Sequence, residues 1–293
     1  MSSTDSRNVY PVLAMLLGAS MWGVIWYPMR LLEDGGLHGL WLLLLLYLVA
    51  FAVSLPWTWR HAGELAREPV LIGAMILGGG WTNVAFTLAV LDGNVLRVML
   101  LFYLSPLWAT LLGWLFLRET ISAASVWNLV LAMIGAVIML WSPEQGLPWP
   151  QDRSDWLALS AGFAFAASNT AVRKAARLSI ETKSVCVYIG VGVICAILIP
   201  FSTVPWPRVE PSIFAGAVAL GVGGILLVTV LVQYAATHLP VHQSAVLALI
   251  ELVVGAASQQ LLTEEVVSVR EWIGGSLIVL GAYLTARAAA RAR

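Results

Sequence analysis

Residues 119–136, Glu-Thr-Ile-Ser-Ala-Ala-Ser-Val-Trp-Asn-Leu-Val-Leu-Ala-Met-Ile-Gly-Ala, return 146 positions later as residues 265–282, Glu-Val-Val-Ser-Val-Arg-Glu-Trp-Ile-Gly-Gly-Ser-Leu-Ile-Val-Leu-Gly-Ala. Glu119 falls on Glu265, Ser122 on Ser268, Leu131 on Leu277, and Gly135-Ala136 on Gly281-Ala282. The offset is close to half of the 293 residues, and it aligns other loops and helices as well. We read two halves, 1–147 and 148–293, joined through Pro143–Arg153. Working outward from the repeat, ten apolar runs appear. They lie near Val9–Leu32, 37–59, 69–91, 95–117, 122–142, 154–178, 184–203, 211–236, 241–262 and 268–288. The breaks carry turn chemistry, such as Glu33-Asp34-Gly35-Gly36, Asp92-Gly93-Asn94 and His238-Leu239-Pro240. Five runs per half is an odd number, so the second half must be inverted across a bilayer relative to the first.

Composition agrees. The chain is 60% hydrophobic and 11% charged, with a mean hydropathy of +0.86. A soluble domain carries roughly a quarter charged residues, so a soluble globular protein is excluded. Ten spans of about 20 residues use roughly 200 positions and leave only short loops, with no room for a soluble domain. The runs are too long and too uniformly apolar for a membrane barrel. The expectation is therefore an all-α integral membrane protein: ten transmembrane helices in two inverted five-helix repeats around a central cavity. Inverted repeats of this kind are common in secondary transporters, with the substrate held near the midplane at the repeat interface. Eleven of the sixteen Lys and Arg fall on the side of the two termini, and five on the other. The positive-inside rule then puts both termini in the cytoplasm. Arg173, Lys174, Arg177 and Lys183 read as that rule's anchor.

Lys+Arg equals Asp+Glu at 16 each, so nothing suggests a nucleic-acid partner. Cys186 and Cys195 form neither a disulfide framework nor a metal spacing. His238 and His242 have an HxxxH spacing, but Pro240 stands between them, so no metal is expected. There is no Walker motif, GxSxG elbow, HExxH or pair of intramembrane aspartates. No cofactor and no catalytic residue is expected, and ATP hydrolysis is not the driver. A channel would need a charged selectivity ring, which is also missing.

Tyr103-Leu-Ser-Pro106 followed by Arg118-Glu-Thr-Ile-Ser122, and Leu249-Ile-Glu251 followed by Glu264-Glu-Val-Val-Ser268, resemble the paired signatures of the drug/metabolite transporter superfamily, EamA type. Trp22-Gly23 and the segment Gly274–Tyr283 fit the same pattern. Within it, the length and the Trp-rich helices are most similar to the YddG-like aromatic amino acid exporters of bacterial inner membranes. The resemblance implies a monomeric secondary exporter of amino acids or related small metabolites, working in the lipid bilayer by alternating access. Proton-coupled export of drugs or metabolites is the alternative. Glu251-Leu252 stands where the family shows Glu-Pro, and Ser105-Pro106 stands in the first copy. A carboxylate therefore occurs in one copy only.

The resemblance assigns the cavity to spans 1, 3, 4, 6, 8 and 9. The polar and aromatic mid-span residues there are Trp22, Asn83, Phe86, Tyr103, Ser105, Asn169 and Tyr234, expected to converge on substrate, with Pro106 freeing a backbone carbonyl beside them. Each could instead be interhelix glue. Glu251 lies near the middle of its span, where a bare carboxylate is costly. It is either a proton carrier or ammonium contact, or a neutral acid locked to a broken neighbouring helix. Trp57, Trp59, Trp141, Trp149, Trp156, Trp206 and Trp272 lie at span ends as an aromatic belt. Trp22, Trp26, Trp81 and Trp108 lie deeper, as candidate cavity walls.

Overall fold

The computed structural model describes residues 6–141, 149–202, 204–264 and 266–291. Among them the regular structure is helical throughout, arranged as ten rods. The predicted joint between the halves at 147/148, and Glu265, lie outside the described residues. The rods are α1 (Ser6–Asp34), α2 (Gly39–Thr58, prolonged by a 3-10 stretch Trp59–Ala66), α3 (Pro69–Asp92), α4 in two pieces (Val95–Phe102 and Ser105–Leu117) and α5 (Ala123–Leu140). The second half has α6 (Arg153–Lys174), α7 (Ile180–Leu198), α8 (Pro211–Leu220 and Leu227–His238, joined by a π turn at Gly221–Leu226), α9 in two pieces (Val241–Ala248 and Ile250–Leu262) and α10 (Val269–Arg291).

Polar caps start the rods where the apolar runs break. Asn94 accepts the Arg97 N–H, Ser122 that of Ser125, and Asp152 that of Asp155. Ser179 accepts the Thr182 N–H, so α7 begins at Ile180 rather than 184. Nine rods, taken over the described residues, are long and apolar enough to cross a membrane. The tenth, α6, carries Arg153, Asp155, Arg173 and Lys174 at its ends and Ser168-Asn169 within. Its 22 residues span about 33 Å, and it is sheathed by α3 and α4. Asp155, Ser168 and Asn169 are buried in protein, where polar groups of a spanning helix are tolerated, while Arg153 and Lys174 are exposed at its ends.

The repeat is visible in the breaks. The first pieces of α4 and α9 are Val95–Phe102 and Val241–Ala248, the same eight-residue element 146 positions apart. Each is followed by a kink, at Tyr103-Leu104 and at Leu249. Pro106 falls in the first turn of the second piece of α4, where its missing N–H goes unneeded. Packing is pseudo-symmetric too. α3 lies on α6 and α7 as α8 lies on α1 and α2, α4 lies on α6 as α9 lies on α1, and α2·α7 and α5·α10 pair across the axis. The sequence halves have thus exchanged their first helices: α6 is embedded in the first half and α1 in the second. At the α5·α10 crossing a Cβ on Gly135 would sit 2.5 Å from the Gly274 carbonyl oxygen, and one on Gly274 2.5 Å from that of Gly135. Only glycine lets these backbones meet.

Candidate functional site

The kinks of α4 and α9 open onto one central cavity of about 150 Å³, far beyond the roughly 10–15 Å³ that a single water requires. Its aromatic wall is made by Trp22, Tyr47, Phe86, Phe102, Tyr103 and Phe165. Phe102 lies edge or tilted to Phe86, Tyr103 and Phe165, with ring centroids 4.8, 5.2 and 6.0 Å apart. Close backbone approach carries the kinks there. A Cβ on Gly162 of α6 would meet the Phe102 carbonyl at 2.6 Å, and one on Gly23 of α1 the Glu251 carbonyl at 2.7 Å.

The polar groups divide by what they already hold. Asn83 is held at both ends of its amide: its Oδ1 accepts from Tyr47 OH at 2.6 Å and one Nδ2–H donates to the Gly79 carbonyl at 2.8 Å. Thr82 and Thr229 donate back to the carbonyls of Gly78 and Ile225. The Glu251 carboxyl and the Tyr103 hydroxyl both reach the chamber and interact there, one from each kinked helix. Gln233 Oε1 is buried without a partner, and Asn169 makes no hydrogen bond among the described residues. Among the described residues no Lys, Arg or His lines the cavity.

Trp22, Asn83, Phe86, Tyr103, Ser105, Pro106, Asn169 and Glu251 all line this cavity. Tyr234 does not. Its ring lies 4.4 Å from that of His238 and packs with the apolar cluster of α1 and α8, while its neighbour Gln233 takes the cavity position. One residue along a helix is a rotation of about 100°, so only one of the pair can face inward. Of the deeper tryptophans, Trp26 donates to Ser258 Oγ at 2.9 Å, Trp81 donates to Ser160 Oγ at 3.0 Å, and Trp108 packs edge-on to Phe163. These three tie helices together and are not cavity walls. Sequence reading missed Tyr47, Phe102 and Phe165. Phe165 lies four positions before Asn169 on the same helical face, and Tyr47 interrupts a leucine run in mid-span; both signals were there to use.

All four connections on the Lys- and Arg-rich side are laced together. Glu64 accepts from the Ser179 N–H and hydroxyl and from the Thr182 hydroxyl, each at 2.8 Å. Glu119 accepts from the Val241 N–H at 3.0 Å, lies 3.4 Å from Arg173 Nε and has His242 Nδ1 at 3.6 Å. Arg173 donates to the Thr237 carbonyl at 2.7 Å, and Lys183 Nζ to Thr237 Oγ1 at 2.8 Å. Lys183 therefore departs from its expected role as a surface anchor: it is wholly buried in the first turn of α7. Burial alone would raise the Glu119 carboxyl; the His242 ring, the Val241 N–H and the Arg173 guanidinium together hold it below its ordinary range. On the opposite side, Arg97 pairs with Asp155 at 2.6 Å and bonds the Trp149 carbonyl, joining α4 to α6, which already pack together. Among the described residues no three His, Cys, Asp or Glu side chains gather as a metal site requires.

Ten helical rods in two inverted repeats, with kinked helices meeting at a central chamber, define a membrane carrier scaffold. The EamA-like transporter family matches the chain twice, over residues 9–141 and 153–287, and the chain belongs to it. It is a multi-pass membrane protein of a family that transports small molecules. A solved structure titled only as the crystal structure of a protein superimposes with a TM-score of 0.79 at 19% identity, covering 95% of this chain and 96% of that one. That likeness speaks to the fold alone. No curated protein matches.

Proposed function

We propose that the protein is a secondary transporter that exports amino acids, aromatic ones among them, and related small metabolites by alternating access. In this reading it works as a monomer in a bacterial inner membrane with both termini cytoplasmic, in the manner of the YddG-like aromatic amino acid exporters. The observation that carries the reading is the chamber itself. A ring of six aromatic side chains surrounds a few uncommitted polar groups at the kinks of two inverted helices. Aromatic walls favour a flat apolar side chain, and the free amides and carboxyl suit a small polar backbone. The lacing of Glu64, Glu119, Arg173 and Lys183 supports a conformer shut on the cytoplasmic side. Exposed Trp57, Trp59, Trp149, Trp156, Trp206 and Trp272 support seating in a bilayer.

One observation favours the second reading, proton-coupled export. Glu251 presents a carboxyl to the chamber with the Tyr103 hydroxyl as its side-chain partner. Counterflow of a panel of labelled amino acids in proteoliposomes, with and without a pH gradient, tests both. Exchange of aromatic amino acids without a gradient is expected. Exchange of none of the panel overturns the substrate class, and accumulation only under a gradient favours coupling.

A further inference from the structure

We propose that Asn169 of α6 and Gln233 of α8 form the subsite that receives the substrate's carboxylate; this rests on the reading of the protein as an amino acid transporter. Both side chains line the chamber. Four residues further along each helix, Arg173 donates to the Thr237 carbonyl at 2.7 Å, which clamps the ends of α6 and α8 together. Positions four apart lie on one helical face, so Asn169 and Gln233 lie about 6 Å deeper, on the facing sides of the two helices that this bond ties. They are the floor of the chamber on its cytoplasmic side.

The chemistry of this floor is that of an anion acceptor. Among the described residues no cation lines the chamber, so a carboxylate there is received by neutral donors; a hydroxyl offers one and a carboxamide two. Asn83, the other amide, gives its oxygen to Tyr47 and one N–H to Gly79, so it keeps a single N–H and a fixed orientation. Asn169 and Gln233 are 8% and 4% exposed and are free to turn their N–H groups to a ligand. Behind them stand two positive charges. Lys183 donates to Thr237 Oγ1, which in turn donates to the backbone carbonyl of Gln233 at 2.7 Å. Among the described residues no carboxylate reaches Lys183 at ion-pair distance, whereas Arg173 shares its charge with Glu119. Glu64 and Glu68 act on Lys183 from farther off and offset part of its field, so these charges support the amides and do not replace them. Glu251, the one carboxyl on the chamber, would repel a carboxylate when ionised, which leaves the amide floor as its place.

The test measures counterflow in proteoliposomes for the wild type, Asn169→Asp and Gln233→Glu. Two constants are read: the KM of an aromatic amino acid, and the inhibition constant of the amine left by its decarboxylation. Each substitution nearly preserves shape and replaces N–H donors by a carboxylate. The amino acid KM should rise at least tenfold while the amine's constant stays or falls, and retained amine binding also reports a folded protein. Equal changes in both constants, an unchanged ratio, or no inhibition by the amine in any of the three proteins overturns the subsite. A wild type that exchanges no amino acid brings down the substrate class, and the subsite with it.

Discussion

Glu251 and Tyr103 interact across the chamber between the two kinked helices, and the pairing gives the acid a structural task independent of any proton traffic. A Gln at 251 keeps shape and a donor, so Glu251→Gln should retain counterflow. Glu251→Ala orphans the tyrosine hydroxyl and should cost about 1–3 kcal/mol of stability, read as a lower unfolding temperature in detergent. A Gln variant that exchanges substrate yet ignores a proton gradient that drives the wild type would contradict the structural role. Glu119 makes a prediction of the opposite kind, because its ionised form is the stabilising one. Its carboxyl sits below the ordinary value of 4.5 when folded, so its contribution is complete above that value and is lost as the pH falls through the lowered one. Unfolding temperature measured down through acid pH should fall more steeply in the wild type than in Glu119→Gln. Parallel curves would remove Glu119 from the account. At this scale the sequence showed which residues lie deep, but not their facing. Gln233 and Tyr234 are equally deep, and only the packing of α8 against α1 decides which of them turns inward.

The kinks in α4 and α9 are the elements that build the chamber, and they differ in how readable they were. Pro106 announces the first, since proline cannot donate to the preceding turn. Leu252 stands at the corresponding position of α9, and nothing local marks the kink at Leu249. It is visible only through the repeat, once Val95–Phe102 is laid on Val241–Ala248. That contrast suggests Pro106 sets the ease with which α4 bends and is not required for the fold. Pro106→Ala should leave the yield of folded protein intact and slow exchange several-fold, measured as initial counterflow rate against folded protein. An unchanged rate would mean that α4, like α9, is held bent by its neighbours alone. The spans themselves were legible because apolar runs and polar caps coincide. The start of α7 was misplaced because Lys183 looks like a loop residue until Thr237 is seen to partner it.

At the scale of the molecule, the units that pack as blocks are not the two sequence halves. α6 belongs with α3 and α4, and α1 with α8 and α9, while α2·α7 and α5·α10 join the blocks. Rocking in alternating access would move these exchanged blocks about the two joining pairs, breaking the Glu119–Val241 tie as the Lys- and Arg-rich side opens. No reading by span order alone could have found this, because the exchange is a property of three-dimensional contacts. The central claim is that the chamber between the blocks is where substrate sits. It is tested most directly by single cysteines at Trp22, Asn83, Phe86, Tyr103 and Asn169, in a chain whose native Cys186 and Cys195 have been replaced. Each is exposed to a membrane-permeant thiol reagent with and without an aromatic amino acid. The account predicts labelling at these positions and its suppression by the amino acid. Resistance at all five positions, or labelling that the amino acid never slows, would contradict it.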